Sequence, residues 1–138
     1  MKLLEPGTEI DGFRVVDCIH AGGMAHIYAV EYAQADRSPG FAMAMKIPRM
    51  TAGDGAENIV SFEVELQILP VLSGPHVPRF VAAGDLLRLP YLVMEYIHGQ
   101  TLQHWLDAPE RCDTATIARL GAATAHAAHS LHQQNVCH

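Results

Sequence analysis

Basic residues are scarce in this 138-residue chain. Nine Lys and Arg stand against fifteen Asp and Glu, a formal charge of −6. A protein that binds nucleic acid through the phosphates needs a basic face, so we expect no nucleic-acid partner. Long apolar runs are missing too, and no stretch approaches the roughly 20 residues of a membrane span. The opening Met1-Lys2-Leu3-Leu4-Glu5-Pro6-Gly7 breaks after two leucines, which is not the pattern of a signal peptide. Cysteine is limited to Cys18, Cys112 and Cys137. An odd, widely spaced set reads as free thiols in a reducing, cytoplasmic setting, not as a disulfide frame or a zinc knuckle. Repeats and low-complexity tracts are absent. What is present is globular: 49% hydrophobic and 17% charged residues, in a chain long enough to bury about 68–70% of its unfolded surface.

The first half reads as β-rich. Phe13–Ile19 is a strand candidate with Phe13, Val15 and Ile19 on one face, although Asp17 interrupts the alternation. His20-Ala21-Gly22-Gly23-Met24-Ala25 is a turn, and His26–Tyr32 resumes the β pattern. Arg37-Ser38-Pro39-Gly40 is a second turn. A third strand, Phe41–Ile47, should end at Pro48. Thr51–Gly55 reads as a loop. A helix then starts near Ala56, with Ile59, Phe62, Leu66, Leu69 and Leu72 on its buried face, and Pro70 should end or kink it. Two more strands are expected at Arg79–Ala83 and Tyr91–Tyr96. After Gly99 the chain turns helical. Thr101 can cap a short helix with Leu102, Trp105 and Leu106 facing inward. Asp113 or Thr114 can cap a longer one, striped by Ile117, Leu120, Thr124, Ala127 and Leu131. Gly121 and Ala128 beside the stripe suggest very close packing. The order predicts an α+β fold with a five-stranded antiparallel sheet, one helix between the third and fourth strands, and helices only thereafter.

Three features carry potential chemistry. Gly22 and Gly23 lie between two strands, where backbone N–H groups can approach a phosphate, though two glycines in a hairpin also serve simply as a turn. Lys46 stands on an otherwise apolar strand and must reach a partner or solvent. Glu65 lies on the shoulder of the helix stripe. Glu63 has stripe neighbours as well, and spacing alone does not choose between them. His126, His129 and His132 share the last helix, but no acid or cysteine joins them at ligand spacing, so we expect no metal site.

In their order these features resemble the protein kinase family. Ile19-His20-Ala21-Gly22-Gly23-Met24-Ala25-His26-Ile27-Tyr28 looks like the glycine-rich loop of the bacterial serine/threonine kinases. Ala44-Met45-Lys46 is similar to the strand-three Ala-x-Lys. Phe62-Glu63-Val64-Glu65 with Ile68-Leu69 resembles helix C, and that register selects Glu65 as the partner of Lys46. Leu92-Val93-Met94-Glu95-Tyr96-Ile97 looks like strand five, gatekeeper and hinge. Leu131–His138 resembles the run into the catalytic loop, with His138 opening His-Arg-Asp.

The resemblance implies a small lobe at 11–96 after an N-terminal extension at 1–10, with the hinge and the start of a large lobe at 97–138. It implies ATP as ligand and protein Ser or Thr as substrate. Ile19, Ile27 and Ala44 would sandwich adenine. The backbone of Glu95 and Ile97 would bond its edge, and Met94 would limit the pocket. Amides at Gly22 and Gly23 would cover the phosphates, and Lys46, held by Glu65, would contact them. Catalytic assignments are Lys46 and Glu65. The Mg2+ ligands and the catalytic Asp are expected beyond residue 138, so this piece alone is expected to be inactive and to self-associate through its last helix. A membrane anchor further downstream stays open. His20 and Ala25 depart from the family's glycines, and Asn135 stands where relatives often have glycine, a position Asn tolerates in left-handed geometry. The alternative is a non-catalytic, pseudokinase-like nucleotide-binding or interaction module.

Overall fold

A computed structural model describes residues 3–49, 55–107 and 113–137. It divides into two units, one of Met1–Val71 with Pro78–Ile97 and one of Leu72–Val77 with His98–His138.

The first unit is a sheet with one helix. Its strands are β1 (Glu9–Ile10), β2 (Phe13–Ala21), β3 (Ala25–Tyr32), β4 (Met43–Pro48), β5 (Phe80–Ala83) and β6 (Leu92–Glu95), with α1 (Gly55–Ile68) between β4 and β5. They form one sheet in the order β1-β2-β3-β4-β6-β5, and every pairing is antiparallel. The expected five strands thus become six. The added β1 is two residues long, too short for any periodicity. It is joined to β2 by Asp11 (φ 46°) and Gly12 (φ 85°), both at the positive φ that a tight type I′ hairpin requires.

Side chains of alternate residues fill the core on one face: Phe13, Val15, Tyr28, Val30, Met43, Met45, Ile47, Tyr91 and Val93. Ile19 does not join them, as its strand pattern suggested, and is 37% exposed. Two bulges, between Val15 and Asp17 and between Cys18 and His20, each insert a residue into β2. Each insertion flips the alternation, so Cys18 packs against the core and Ile19 does not.

Pro48 also differs from expectation, lying inside β4. The Arg49 N–H donates to the Met24 carbonyl at 2.8 Å. Donors alternate along a strand, so the nitrogen of Pro48 faces the β6 side. There β6 has already ended, with Leu92 opposite Lys46, and no ladder bond is lost. Pro70 behaves as expected: α1 stops at Ile68 and a single 3-10 turn, Leu69–Val71, follows.

The β1–β2 turn contacts the chain just before β6. The Tyr91 hydroxyl donates to Asp11 Oδ2 at 2.9 Å, and the Phe13 and Tyr91 rings lie edge to face 6.5 Å apart. Gly84 serves the same corner. A Cβ there would come within 2.3 Å of the Tyr91 ring and 2.5 Å of the Leu89 carbonyl oxygen.

In the second unit α2 (Leu102–Leu106) and α3 (Thr114–His132) are capped by side chains. The Thr101 hydroxyl accepts from His104 N at 3.1 Å and the Asp113 carboxylate from Thr116 N at 2.6 Å. The Asp113 carboxyl is held below its ordinary range by that bond. Asn135 (φ 60°) takes the left-handed position after α3. Val136 N bonds Leu131 O at 3.1 Å and Asn135 N bonds His132 O at 3.0 Å, the two bonds of a Schellman motif. The Leu72–Val77 segment is fastened by Gln134, whose side-chain amide donates to Ser73 O and accepts from Ser73 N at 3.0 and 2.9 Å.

The expected inward faces of these helices are not buried. Leu102, Trp105, Leu106 and Ile117 are exposed, and neither helix buries a residue among those described. Nothing lies within 4 Å of a Cβ placed on Gly121. Periodicity identifies an apolar face; it does not say whether these residues also supply its cover.

Burial, followed by the Asp11 bond, pushes the Tyr91 hydroxyl up to about 12. The folded state therefore keeps a proton that the unfolded chain releases near pH 10. Stability from this group is full below pH 10 and falls as pH rises toward 12. Tyr91→Phe should cost about 1–2 kcal/mol at pH 7 and flatten that alkaline loss, as read by urea unfolding at pH 7 and pH 11.

Candidate functional site

Lys46 is the charged member of β4, and every other residue of that strand is buried. Its Nζ meets Glu65 Oε2 of α1 at 2.5 Å. The choice that spacing left open between Glu63 and Glu65 therefore falls to Glu65. Both partners are about one-third exposed or less, 27% and 34%, so water screens the pair only in part. A small cleft beside it is lined by Met24, Ala25, Pro48, Asn58, Ser61 and Phe62.

The register gathers the other candidates. Ile27 of β3 stands opposite Lys46. Ala44, buried on β4, stands opposite Met94 of β6, and Met43 opposite Glu95. Ile19 is the extra residue of the second β2 bulge, just before His20 pairs with Ile27. Gly22 and Gly23 form the β2–β3 turn. Ile97, 63% exposed, closes the first unit. All the nucleotide-site candidates read from the sequence thus lie in that unit. His138, expected to open a catalytic loop, lies outside the described residues.

Glu95 is more constrained than the sequence showed. Its N–H donates to the Arg79 carbonyl at 2.8 Å. Its carboxylate accepts from the Arg79 guanidinium twice, at 3.0 Å each, and is held below the usual carboxylate range by that pairing. A ligand at Glu95 would have to use the carbonyl. Arg79 also stacks over the Phe41 ring at 4.0 Å. Nothing in the local sequence marks Arg79, because its partner is sixteen residues away and only the β5–β6 register brings them together.

The glycine turn has several close neighbours. Gly22 N donates to Ala25 O at 3.0 Å. A Cβ on Gly22 would meet His20 Nε2 at 2.8 Å, so the imidazole fills the space that glycine leaves. Gly23 has no neighbour within 4 Å of such a position. Arg49, which the sequence reading passed over, donates its guanidinium to Gly22 O at 3.2 Å.

His26, first after the turn, is buried edge-on to Tyr28, and its Nδ1 has no partner among the described residues. Burial first, then the positive charges of Arg49 and His20, lower its pKa. Below the unfolded value near 6.5 the unfolded chain binds a proton that the fold refuses. Stability from His26 is therefore full above that value and is lost as pH falls toward the folded pKa. We expect His26→Leu to show a shallower loss between pH 7 and 5 than the wild type, as read by chemical denaturation. Equal slopes would remove His26 from the acid response.

Residues 13–138 match the family model for protein tyrosine and serine/threonine kinases. The chain belongs to the protein kinase family. It is 30% identical to a probable serine/threonine-protein kinase, pknA2, of Bifidobacterium longum, an alignment covering 97% of this chain and 18% of that one. It is 32% identical to the serine/threonine-protein kinase PrkC of Bacillus subtilis over 74% of this chain and 15% of the other. Among solved structures, the PknI kinase domain of Mycobacterium tuberculosis superposes with a TM-score of 0.75 at 23% identity, covering 99% of this chain and 54% of that one. The apo form of PpkA-294 reaches 0.78 at 21% identity, covering 98% and 53%. At these identities the structures establish the fold. The chain spans about half of those two solved chains and under a fifth of the curated relatives.

Proposed function

We propose that these residues are the nucleotide-gripping part of a serine/threonine protein kinase that transfers the ATP γ-phosphoryl group to protein Ser or Thr. The observation that carries the reading is Lys46 on a buried strand, fixed by Glu65 and set beside a glycine turn, in a member of this family. Phosphoryl transfer is mostly positioning and charge stabilisation. Lys46 supplies a cation for the α- and β-phosphates, and Glu65 keeps its ammonium from folding away. Ile19, Ile27 and Ala44 offer apolar surface for adenine. The Glu95 carbonyl and the Ile97 backbone bond its edge, and Met94 closes the back. The Gly23 amide covers the phosphates; the Gly22 amide, expected to do the same, already donates to Ala25 O within the turn.

On this reading the first unit and the helices after it are the small lobe and the beginning of the large lobe. Among the described residues no group of three or more His, Cys, Asp or Glu is placed to hold a metal ion, and we assign magnesium, which usually takes one or two carboxylates with substrate phosphates, no ligand here. On the family's pattern we expect its ligands and the catalytic base in the part of the parent that these residues do not include. We therefore expect this chain alone to bind ATP weakly and to transfer no phosphate, while the parent phosphorylates Ser or Thr. A radiolabelled ATP transfer assay on the chain, beside Lys46→Ala, checks this. Transfer that is lost in the Lys46 variant would overturn it.

The side chains at His20 and Ala25, where the family has glycine, favour one alternative, a non-catalytic nucleotide-binding or interaction module. An intact parent that binds ATP yet transfers no phosphate would establish that alternative. We read a cytoplasmic placement from the odd, widely spaced cysteines, of which Cys18 and Cys137 are free; separately, no helix among the described residues is long and apolar enough to cross a membrane.

The exposed faces of α2 and α3 are the basis for self-association of this chain. Light scattering at rising concentration should show mass growth. Ile117→Lys should reverse it, and a monodisperse monomer would exclude it.

A further inference from the structure

Arg49 reaches the glycine turn at two points. Its backbone N–H donates to Met24 O at 2.8 Å, and its guanidinium donates to Gly22 O at 3.2 Å. One residue thus holds two carbonyls of a short turn, three positions after Lys46 on the same run of chain. The second bond is charge-assisted, since a guanidinium cannot give up its proton.

This grip has a geometric effect. In a trans peptide the C=O of one residue and the N–H of the next point in opposite directions. Drawing the Gly22 carbonyl to Arg49 turns the Gly23 N–H to the other side of that plane. The His20 imidazole occupies the space beside the Gly22 Cα, so two side chains, those of Arg49 and His20, come close to Gly22. His26, directly after the turn, is buried and anchors the start of β3.

We propose that Arg49 is a positioning residue of the glycine turn: it clamps the turn to the end of β4 and so fixes the direction of the Gly23 amide relative to Lys46. The proposal rests on the nucleotide reading above for its purpose, though the clamp itself is a property of the free protein. Glycine makes the turn pliable, and a pliable turn cannot present an amide in a fixed direction unless something outside it supplies the constraint. Arg49→Met keeps the backbone bond and most of the stem and removes the guanidinium bond. Arg49→Lys keeps the charge, but its compact ammonium offers no planar fork.

The test is amide hydrogen exchange by NMR on the 138-residue wild type, Arg49→Met and Arg49→Lys, followed by titration with ADP. Exchange at Gly22 and Arg49, whose N–H groups bond Ala25 O and Met24 O across the turn, should rise at least about tenfold in Arg49→Met, the size expected for one lost charge-assisted bond. Arg49→Lys should fall between, and the amides of Val30 and Met45 should not change. Unchanged turn exchange in Arg49→Met would overturn the clamp, and so would a rise shared by the core amides. The ADP arm separates the two claims. If the turn loosens and ADP binds several-fold more weakly, clamp and purpose both stand. A loosened turn in a protein whose wild type shows no ADP-induced shifts would keep the clamp and reject the nucleotide reading. ADP shifts in the wild type, with turn exchange and affinity unchanged in Arg49→Met, would keep the nucleotide reading and reject the clamp.

Discussion

A cation on a buried strand must find an anion, and that requirement organises the first unit. The neighbours of Lys46 on β4, from Met43 to Pro48, are all buried. The strand lies between β3 and β6, and the Lys46 side chain is only 27% exposed. Glu65 answers from α1, and this contact tells the helix which way to face. A partly shielded ion pair contributes little net stability, because desolvation offsets much of the attraction. Its value is directional: it fixes the lysine head at one point beside the glycine turn. The apolar side of the same strand does the opposite work, locking Met43, Met45 and Ile47 into the core and giving the charge a rigid base.

Much of this was legible in the residues. The alternation of β3, the stop at Pro70, the cap at Thr101 and the left-handed Asn135 follow from local chemistry, and each is found where that chemistry places it; of the two caps open for α3, Asp113 is the one used. The misses have physical causes. β1 was missed although Asp11-Gly12 is a strong hairpin signal, because a two-residue strand shows no period. Ile19 was assigned to the wrong face because a bulge cannot be seen in an alternation that already contains Asp17. Pro48 was read as a terminator because its tolerance depends on where β6 begins.

The site divides the same way. Lys46, the glycines and the hinge residues are recognisable by type and order, and the pairing of Lys46 with Glu65 needed the family register to be chosen over Glu63. Arg79 and Arg49 were invisible. Each acts through a carbonyl or carboxylate brought near by strand register, sixteen or more residues away along the chain. The exposed helix faces are a different kind of failure. Ile117 and Leu106 are patterned as though buried, yet both are exposed. Hydrophobic pattern records a face that is to be covered without recording what covers it.

The attachment of Ser73 to Gln134 bears on the order of events during synthesis. Leu72–Val77 belongs to the second unit although it is made before β5 and β6 of the first. Its fastening residue follows 61 positions later. At ribosomal rates of about 5–20 residues per second, that interval is roughly 3–12 s. The connection between α1 and β5 must therefore wait, unfastened, while the sheet gains its last two strands. A nascent chain of this protein completes its sheet before it can anchor the segment that leads into it.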